Sequence, residues 1–319
     1  MTPPLLEVAG LLKHYPVRGG AVRAVDGVSF TLARGETLSL VGESGCGKST
    51  VGRCILRLAP VTGGQISLAG KRIDDLPERH MRPLRRHMQV VFQDPFSSLN
   101  PRQRIRDVIA EPLRNFSLAS GAALDARVVE LLDQVGLPAS AMHRLPHEFS
   151  GGQRQRIGIA RALAPAPDLL VCDEAVSALD VSVKAQIVNL LLGLQERLGL
   201  ALLFISHDLS IVEHLTHRVA VMYLGRIVEL APRRALFAAP RHPYTRALLS
   251  AVPLPDPTAT RERTVLRGDV PSGLAPPPGC RFHTRCPAAF DRCRTEEPVP
   301  RQVATEHIVA CHLDVSAGP

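Results

Sequence analysis

The chain has 319 residues, 45% of them hydrophobic and none of them tryptophan. That fits one large globular domain with a smaller appendage, or two modest domains. Only 4% of residues are aromatic and the formal charge of +8 is spread along the chain, so neither a stacking platform nor a basic stripe for nucleic acid is expected. No apolar run approaches the ~20 residues that span a bilayer, and Met1-Thr2-Pro3-Pro4 lacks the charged-then-apolar pattern of a secretory signal. The expectation is a chain that stays in the cytosol and, if it works at a membrane, borrows spanning helices from other subunits.

In chain order, strands are predicted at Leu5–Leu11, Val25–Leu32 and the buried run Thr37–Val41. A Gly-rich turn follows, then a helix from about Lys48 with Val51, Ile55 and Leu58 at helical spacing. Met88–Phe92 reads as a strand. Residues from about 94 to 164 read as helical; Val128, Leu131, Leu132 and Val135 make one apolar stripe, and Gly136 is a plausible stop. Alternation then resumes with strand Leu169–Cys172, helix Val181–Leu198, strand Ala201–Ile205 and a hairpin of Arg218–Leu224 with Arg226–Leu230. Strands alternating with helices imply a largely parallel sheet, so a helical block is inserted between two halves of one α/β core. Past residue 235, prolines at 253, 255, 257 and 276–278 suggest a linker to a cysteine-bearing tail.

Gly42-Glu43-Ser44-Gly45-Cys46-Gly47-Lys48-Ser49, followed by Thr50, matches the phosphate-loop pattern and sits after a buried strand. Its glycines let backbone N–H groups turn around phosphate oxygens, and the helix that starts there points its positive end at them. Lys48 can reach the β- and γ-phosphates and Ser49 can ligate Mg²⁺. The chain has only four lysines against a large excess of arginine, and a planar guanidinium is a poor substitute for this point charge.

Leu169-Leu170-Val171-Cys172-Asp173-Glu174 is an apolar strand ending in two carboxylates. Asp173 suits the Mg²⁺ shell, and Glu174 can orient and polarise an attacking water. Phe149-Ser150-Gly151-Gly152-Gln153 precedes a further helix and makes a second anion-binding helix start. One phosphate loop does not need a second for the same nucleotide, so this one is expected to serve a nucleotide held by another subunit.

With these motifs in this order the chain resembles the ABC transporter ATPases over residues from about 5 to 235. Their signature usually begins with Leu where Phe149 stands, an apolar exchange. The resemblance implies an α/β fold with a P-loop NTPase (RecA-like) core, an antiparallel β subdomain and an inserted helical subdomain. It also implies roles for Gln93 as the Q-loop glutamine, for Ser177-Ala178-Leu179-Asp180 as the D-loop, for His207 as the switch histidine and for Tyr15 as the aromatic that stacks on adenine. Val91 to Pro101, Ser177 to Val183, His242 to Leu249 and the tail from Gly279 to Leu313 are similar to the dipeptide/oligopeptide importer branch. Ala175 stands where a proline is usual.

Cys46, Cys54 and Cys172 lie among apolar or glycine neighbours and read as packing residues. Cys280, Cys286, Cys293 and Cys311 cluster in the tail, and in a reducing compartment that suggests metal rather than disulfides. Their spacing matches neither a paired zinc pattern nor a ferredoxin run; four thiolates suit [4Fe–4S] or Zn²⁺, with His283 and His312 as substitutes in the zinc case. The resemblance favours the cluster, expected here as a structural element with no part in ATP chemistry.

The domains expected are an ABC ATPase nucleotide-binding domain over 5–255, with its helical subdomain at about 94–164, and a small C-terminal oligopeptide-transporter-type extension over 256–319 carrying the four cysteines. The function implied is the ATP- and Mg²⁺-dependent motor of a dipeptide or oligopeptide importer. Its implied partners are a second, related ABC ATPase in a heterodimer, two transmembrane permease subunits and an extracytoplasmic solute-binding protein. Its implied place is peripheral, on the cytoplasmic face of the membrane. Another small solute such as nickel is the alternative cargo. A chromosome-maintenance ATPase would need long coiled-coil insertions, and a translation-factor ATPase would carry two cassettes; the sequence has neither.

Overall fold

The computed structural model describes residues 3–94, 98–252 and 266–313. In chain order its strands are β1 (Leu6–Val17), β2 (Gly20–Leu32), β3 (Thr37–Val41), β4 (Gly63–Leu68), β5 (Lys71–Arg72), β6 (Met88–Val91), β7 (Leu169–Asp173), β8 (Ala201–Ser206), β9 (Arg218–Tyr223), β10 (Arg226–Pro232), β11 (Arg301–Ala304) and β12 (His307–Val309). The chain divides into two compact units, one of residues up to 6, 32–37 and 67–205, the other of 7–31, 38–66 and 206 onward. The divisions fall inside or at the ends of strands, so each unit is assembled from distant stretches of sequence.

In the first unit β6, β7 and β8 run parallel, with Val91 opposite Cys172 and Asp173 opposite Ile205. Every residue of β7 before Asp173, and all of β8, is buried. That accounts for their unbroken apolar runs, because parallel strands are covered on both faces. The expected helical block is present as Ile105–Asn115, Gly121–Gln134 and Gly151–Leu163, and the first packs against the other two. Leu124, Val128, Leu131 and Leu132 form the buried stripe of the second helix, each such side chain contributing roughly 1.5–3 kcal/mol on burial. Gly136 stops it as expected: with φ 71° it lets its own N–H reach Asp133 O at 2.8 Å and the N–H of Leu137 reach Leu132 O at 2.9 Å, a paired closure of the orphan carbonyls.

In the second unit β3 runs parallel to β9, and the β9–β10 hairpin is antiparallel, as its sequence suggests. Along β2 the inward positions Val28, Phe30 and Leu32 alternate with exposed Gly27, Ser29 and Thr31, the pattern of a sheet with one wet face. The helix from Lys48 ends at Ile55, one turn earlier than its periodicity suggests. Arg57 takes a left-handed conformation (φ 55°) and leaves Leu58 exposed.

The region past 235 departs most from expectation. It contains helices Arg233–Ala238 and Pro243–Ser250, and β12 pairs antiparallel with β10, placing Val309 opposite Glu229. Tyr244 and Phe282 are among the most deeply buried side chains. Gly273 accepts a hydrogen bond from the N–H of Arg23 at 2.9 Å, so the Pro276–Pro278 stretch leads on from a seated segment. The prolines at 253, 255 and 257 lie outside the described residues. The segment has too few apolar residues for its own core and adds its strands and rings to a sheet built elsewhere in the sequence.

Candidate functional site

In the second unit, strand β3 delivers the chain into the loop Gly42–Lys48. Gly47 has φ 105°, and a Cβ there would overlap the carbonyl oxygen of Ala24; one at Gly42 would overlap that of Met222. The loop is pressed against neighbouring backbone, so only glycine fits. The N–H of Gly225 holds Cys46 O at 2.9 Å. Lys48 begins the helix and is buried; its Nζ donates to Gly42 O at 2.8 Å and to Glu43 O at 3.0 Å. The first N–H groups of that helix have no acceptor within it. An ammonium and a fan of backbone donors at a crowded turn are the donor set a polyphosphate needs.

Glu43 is held from outside the loop. Its N–H donates to the Tyr244 hydroxyl at 2.9 Å, and its carboxylate receives both terminal nitrogens of Arg285, at 2.6 and 3.0 Å. Neither partner has a local sequence signal: both lie more than 200 residues downstream, and only the folded chain brings them to the loop. Ser44 and Gly45 are exposed, while Ser49 and Thr50 are half-buried. Tyr15 is also half-buried, with Lys13 Nζ 4.6 Å from its ring centre. His207 is exposed just beyond β8, ahead of Asp208, which caps helix Leu209–Leu215 through the N–H of Ser210 at 3.1 Å.

In the first unit, Asp173 ends β7 and Glu174 follows with φ 50°. That left-handed conformation costs a non-glycine residue roughly 1–2 kcal/mol, and such strain concentrates at functional positions. It is held by the N–H of Glu174 on Ile205 O at 3.0 Å and by both the N–H and the hydroxyl of Ser177 on Glu174 O, each at 3.0 Å. Ala175 is buried, and its carbonyl takes the Gln155 amide at 2.6 Å. Gln93 is exposed beyond β6; residues 95–97 of its motif lie outside the described residues. Asp180 is exposed at the start of helix Val181–Leu198.

The Ser150–Gln153 stretch forms a reciprocal cap. Ser150 Oγ accepts from the N–H of Gln153 at 3.3 Å, and Gln153 Oε1 accepts from the N–H of Ser150 at 3.0 Å, which fixes the entry of helix Gly151–Leu163. Phe149 is buried with the Arg144 guanidinium 4.3 Å from its ring centre, so an apolar side chain at that position serves packing. A Cβ on Gly152 would overlap Val183, whereas one on Gly151 would meet, among the described residues, only Leu179 Cδ2 at 3.6 Å.

Of the seven cysteines, Cys46, Cys54 and Cys172 are buried, as packing residues should be. Burial raises all three thiols, Cys54 to about 11 and Cys172 to about 12. The other four share one corner of the second unit. The N–H of Cys280 donates to Cys293 O at 2.9 Å. Burial pushes the Cys280 thiol up to about 11, and its neighbours Cys311, Cys293 and Cys286 push the same way. Among the described residues, however, no three His, Cys, Asp or Glu side chains stand close enough to hold a metal ion. The four-thiolate site expected from the sequence is gathered but not assembled.

Phosphate loop, strand-end carboxylates and parallel strands together define a P-loop nucleotide-hydrolysing protein. The comparisons with known proteins narrow this. The family model for ABC transporters matches residues 25–177, and that for the oligopeptide/dipeptide transporter C-terminal region matches 228–293. The probable peptide ABC transporter ATP-binding protein y4tS of Sinorhizobium fredii is 54% identical across 99% of this chain and 92% of its own length. The oligopeptide transport ATP-binding protein AppF of Bacillus subtilis is 51% identical across 97% of both. Among solved structures, a dimeric ATP-binding cassette bound to ADP and phosphate superposes with TM-score 0.66 at 28% identity, over 72% of this chain and 99% of that one. The cassette cbiO1 of Clostridium perfringens gives the same score and identity over 74% and 91%. The chain belongs to the ATP-binding subunits of ABC transporters, and its fold is their ATPase cassette. Among the described residues, no helix is long and apolar enough to cross a membrane.

Proposed function

We propose that this chain is the ATP-hydrolysing motor of a peptide importer and that it shares its nucleotides with a second ATPase subunit. The observation that carries the sharing is Gly151. Its φ is not left-handed and a side chain would fit beside it, so no neighbour among the described residues requires a glycine there. A phosphate approaching the helix start from another molecule would. Ser150, Gly151, Gly152 and Gln153 then face a nucleotide held by the partner's loop, and the partner's equivalent faces the one at Lys48.

In this reading Lys48 and the N–H groups of Gly45 through Thr50 bind the phosphates, and Tyr15 stacks on adenine. Ser49 and Asp173 would hold Mg²⁺, which supplies charge neutralisation on the phosphate oxygens. Glu174, fixed by its strained turn, orients the attacking water and accepts its proton, while Gln93, His207 and Asp180 sense the γ-phosphate and the partner. The peptide cargo is supported by the names of y4tS and AppF and by the C-terminal family match. Two permease subunits, an extracytoplasmic binding protein and a place on the cytoplasmic face of the membrane belong to the same reading. Vesicles reconstituted with the permease and ATPase subunits should take up labelled di- or oligopeptides only with ATP inside the motor's compartment. Uptake of nickel but not peptide would replace the cargo.

For the tail we propose that Cys280, Cys286, Cys293 and Cys311 close on one [4Fe–4S] cluster, drawing together thiols that are already neighbours. Anaerobically purified protein should be brown, with iron and sulfide in equal amounts. Colourless protein with stoichiometric zinc would change the metal; protein with a folded tail and no metal would remove the site.

A further inference from the structure

We infer that Arg285 is a positioning residue of the nucleotide site, through which the cysteine-bearing segment sets the affinity of the phosphate loop. This rests on the reading that the Lys48 loop holds the phosphates of ATP.

The link between Arg285 and the loop is Glu43. Its carbonyl receives Lys48 Nζ at 3.0 Å, its N–H is fixed by the Tyr244 hydroxyl at 2.9 Å, and its carboxylate is gripped bidentately by Arg285. A shift of Glu43 therefore moves the lysine that must meet the phosphates. Geometry adds a second reason: the guanidinium meets the carboxylate with two parallel hydrogen bonds, which fix the direction of the Glu43 side chain as well as its place. The Arg285 side chain is only 7% exposed against 29% for Glu43, so water replaces little of this pairing when it is broken.

Arg285 in turn projects from an anchored turn. Phe282 packs its ring edge-on to Tyr223, with centroids 5.2 Å apart, and lies 5.3 Å from the ring of Tyr244. Arg281 is bound to Leu224 O at 2.5 Å and to Asp26. Cys280 and Cys286 bracket this turn. A segment expected to have no part in ATP chemistry thus reaches the phosphate loop through a side chain directly next to one of its cysteines.

The test is the steady-state KM for MgATP and kcat of the assembled transporter, with melting temperature recorded. Arg285→Met should raise KM about tenfold and leave kcat within about twofold. Glu43→Gln removes the pair from the loop side without touching the cysteine turn, and should raise KM in the same direction. The double variant should be no worse than Arg285→Met alone, since both break one link, and Arg285→Lys should fall between wild type and Arg285→Met. An unchanged KM in Glu43→Gln, or single effects that multiply in the double variant, would overturn the inference. Lys48→Ala separates the two claims. If it abolishes MgATP binding while Arg285→Met leaves KM unchanged, the loop reading stands and the inference falls; if Lys48→Ala binds MgATP normally, the loop reading itself fails.

Discussion

Gly151→Ala should make the chain more stable and the motor slower. The first half follows from the chain alone. Gly151 is the first residue of the 13-residue helix Gly151–Leu163, it is not left-handed, and an added Cβ meets Leu179 Cδ2 at an ordinary 3.6 Å. Replacing glycine by alanine in a helix gains up to about 1 kcal/mol, and for a unit of this size 1 kcal/mol raises Tm by about 2–4 °C. The second half follows from the proposed partner nucleotide. A methyl group between the helix start and a γ-phosphate displaces backbone donors from the developing charge, and losing one such donor typically costs about 10²–10³ in rate. Gly152→Ala is the contrast: its Cβ would overlap Val183, and overpacking of this kind costs about 1–3 kcal/mol. Thermal melts of the isolated chain, beside ATPase turnover of the assembled transporter, distinguish the two variants. Gly151→Ala with raised Tm and unchanged turnover would show that Gly151 faces no nucleotide, and the reasoning for a shared site would fail.

Glu174→Gln should retain MgATP binding and lose about 10²–10⁴ in turnover; a near-normal single-turnover rate would remove it as the base. Glu174→Gly should melt at a higher temperature than Glu174→Gln, because glycine takes the left-handed conformation at φ 50° without strain; equal melting temperatures would mean the turn stores none. Acid should destabilise the second unit through His242. This histidine is buried and its Nδ1 accepts the N–H of Tyr244 at 3.1 Å, and burial lowers its pKa from 6.5 to about 4. Between those values the unfolded chain binds the extra proton, so the neutral imidazole's stabilisation, about 3 kcal/mol at most, is present above pH 6.5 and lost as pH falls towards 4. His242→Asn, which keeps a capping acceptor, should flatten Tm against pH in that window; an unchanged slope would place the titration elsewhere.

The fold was most legible where local signals are strong. The buried runs of β3, β7 and β8 and the Gly136 stop are each decided by residues close in sequence. So are the glycine turn before Lys48 and the Ser150 cap. The C-terminal region was least legible. β11 and β12 are short, and their pairing is set by β10, nearly 80 residues earlier; His307 meets the buried Glu229 at 2.8 Å with no local pattern to announce it. Proline-rich composition suggested a linker because sequence periodicity does not show rings such as Phe282 seating against a distant hairpin. The Arg285–Glu43 pair was invisible for the same reason: Glu43 stands in the phosphate-loop pattern, but Arg285 looks like an ordinary surface charge until the chain closes a loop of more than 200 residues. The strain at Glu174 was equally hidden, since no residue type at that position signals a positive φ.

The shared nucleotide is tested most directly by Ser150→Arg in this subunit. Two quantities are measured: MgATP binding to the purified variant chain, and ATP turnover by the transporter assembled with it. If the Ser150 helix start serves the partner's nucleotide, the variant binds MgATP at its own Lys48 loop with unchanged affinity, while turnover in the assembly collapses. Loss of MgATP from the variant's own loop, or normal turnover in the assembly, would contradict a site built from two subunits.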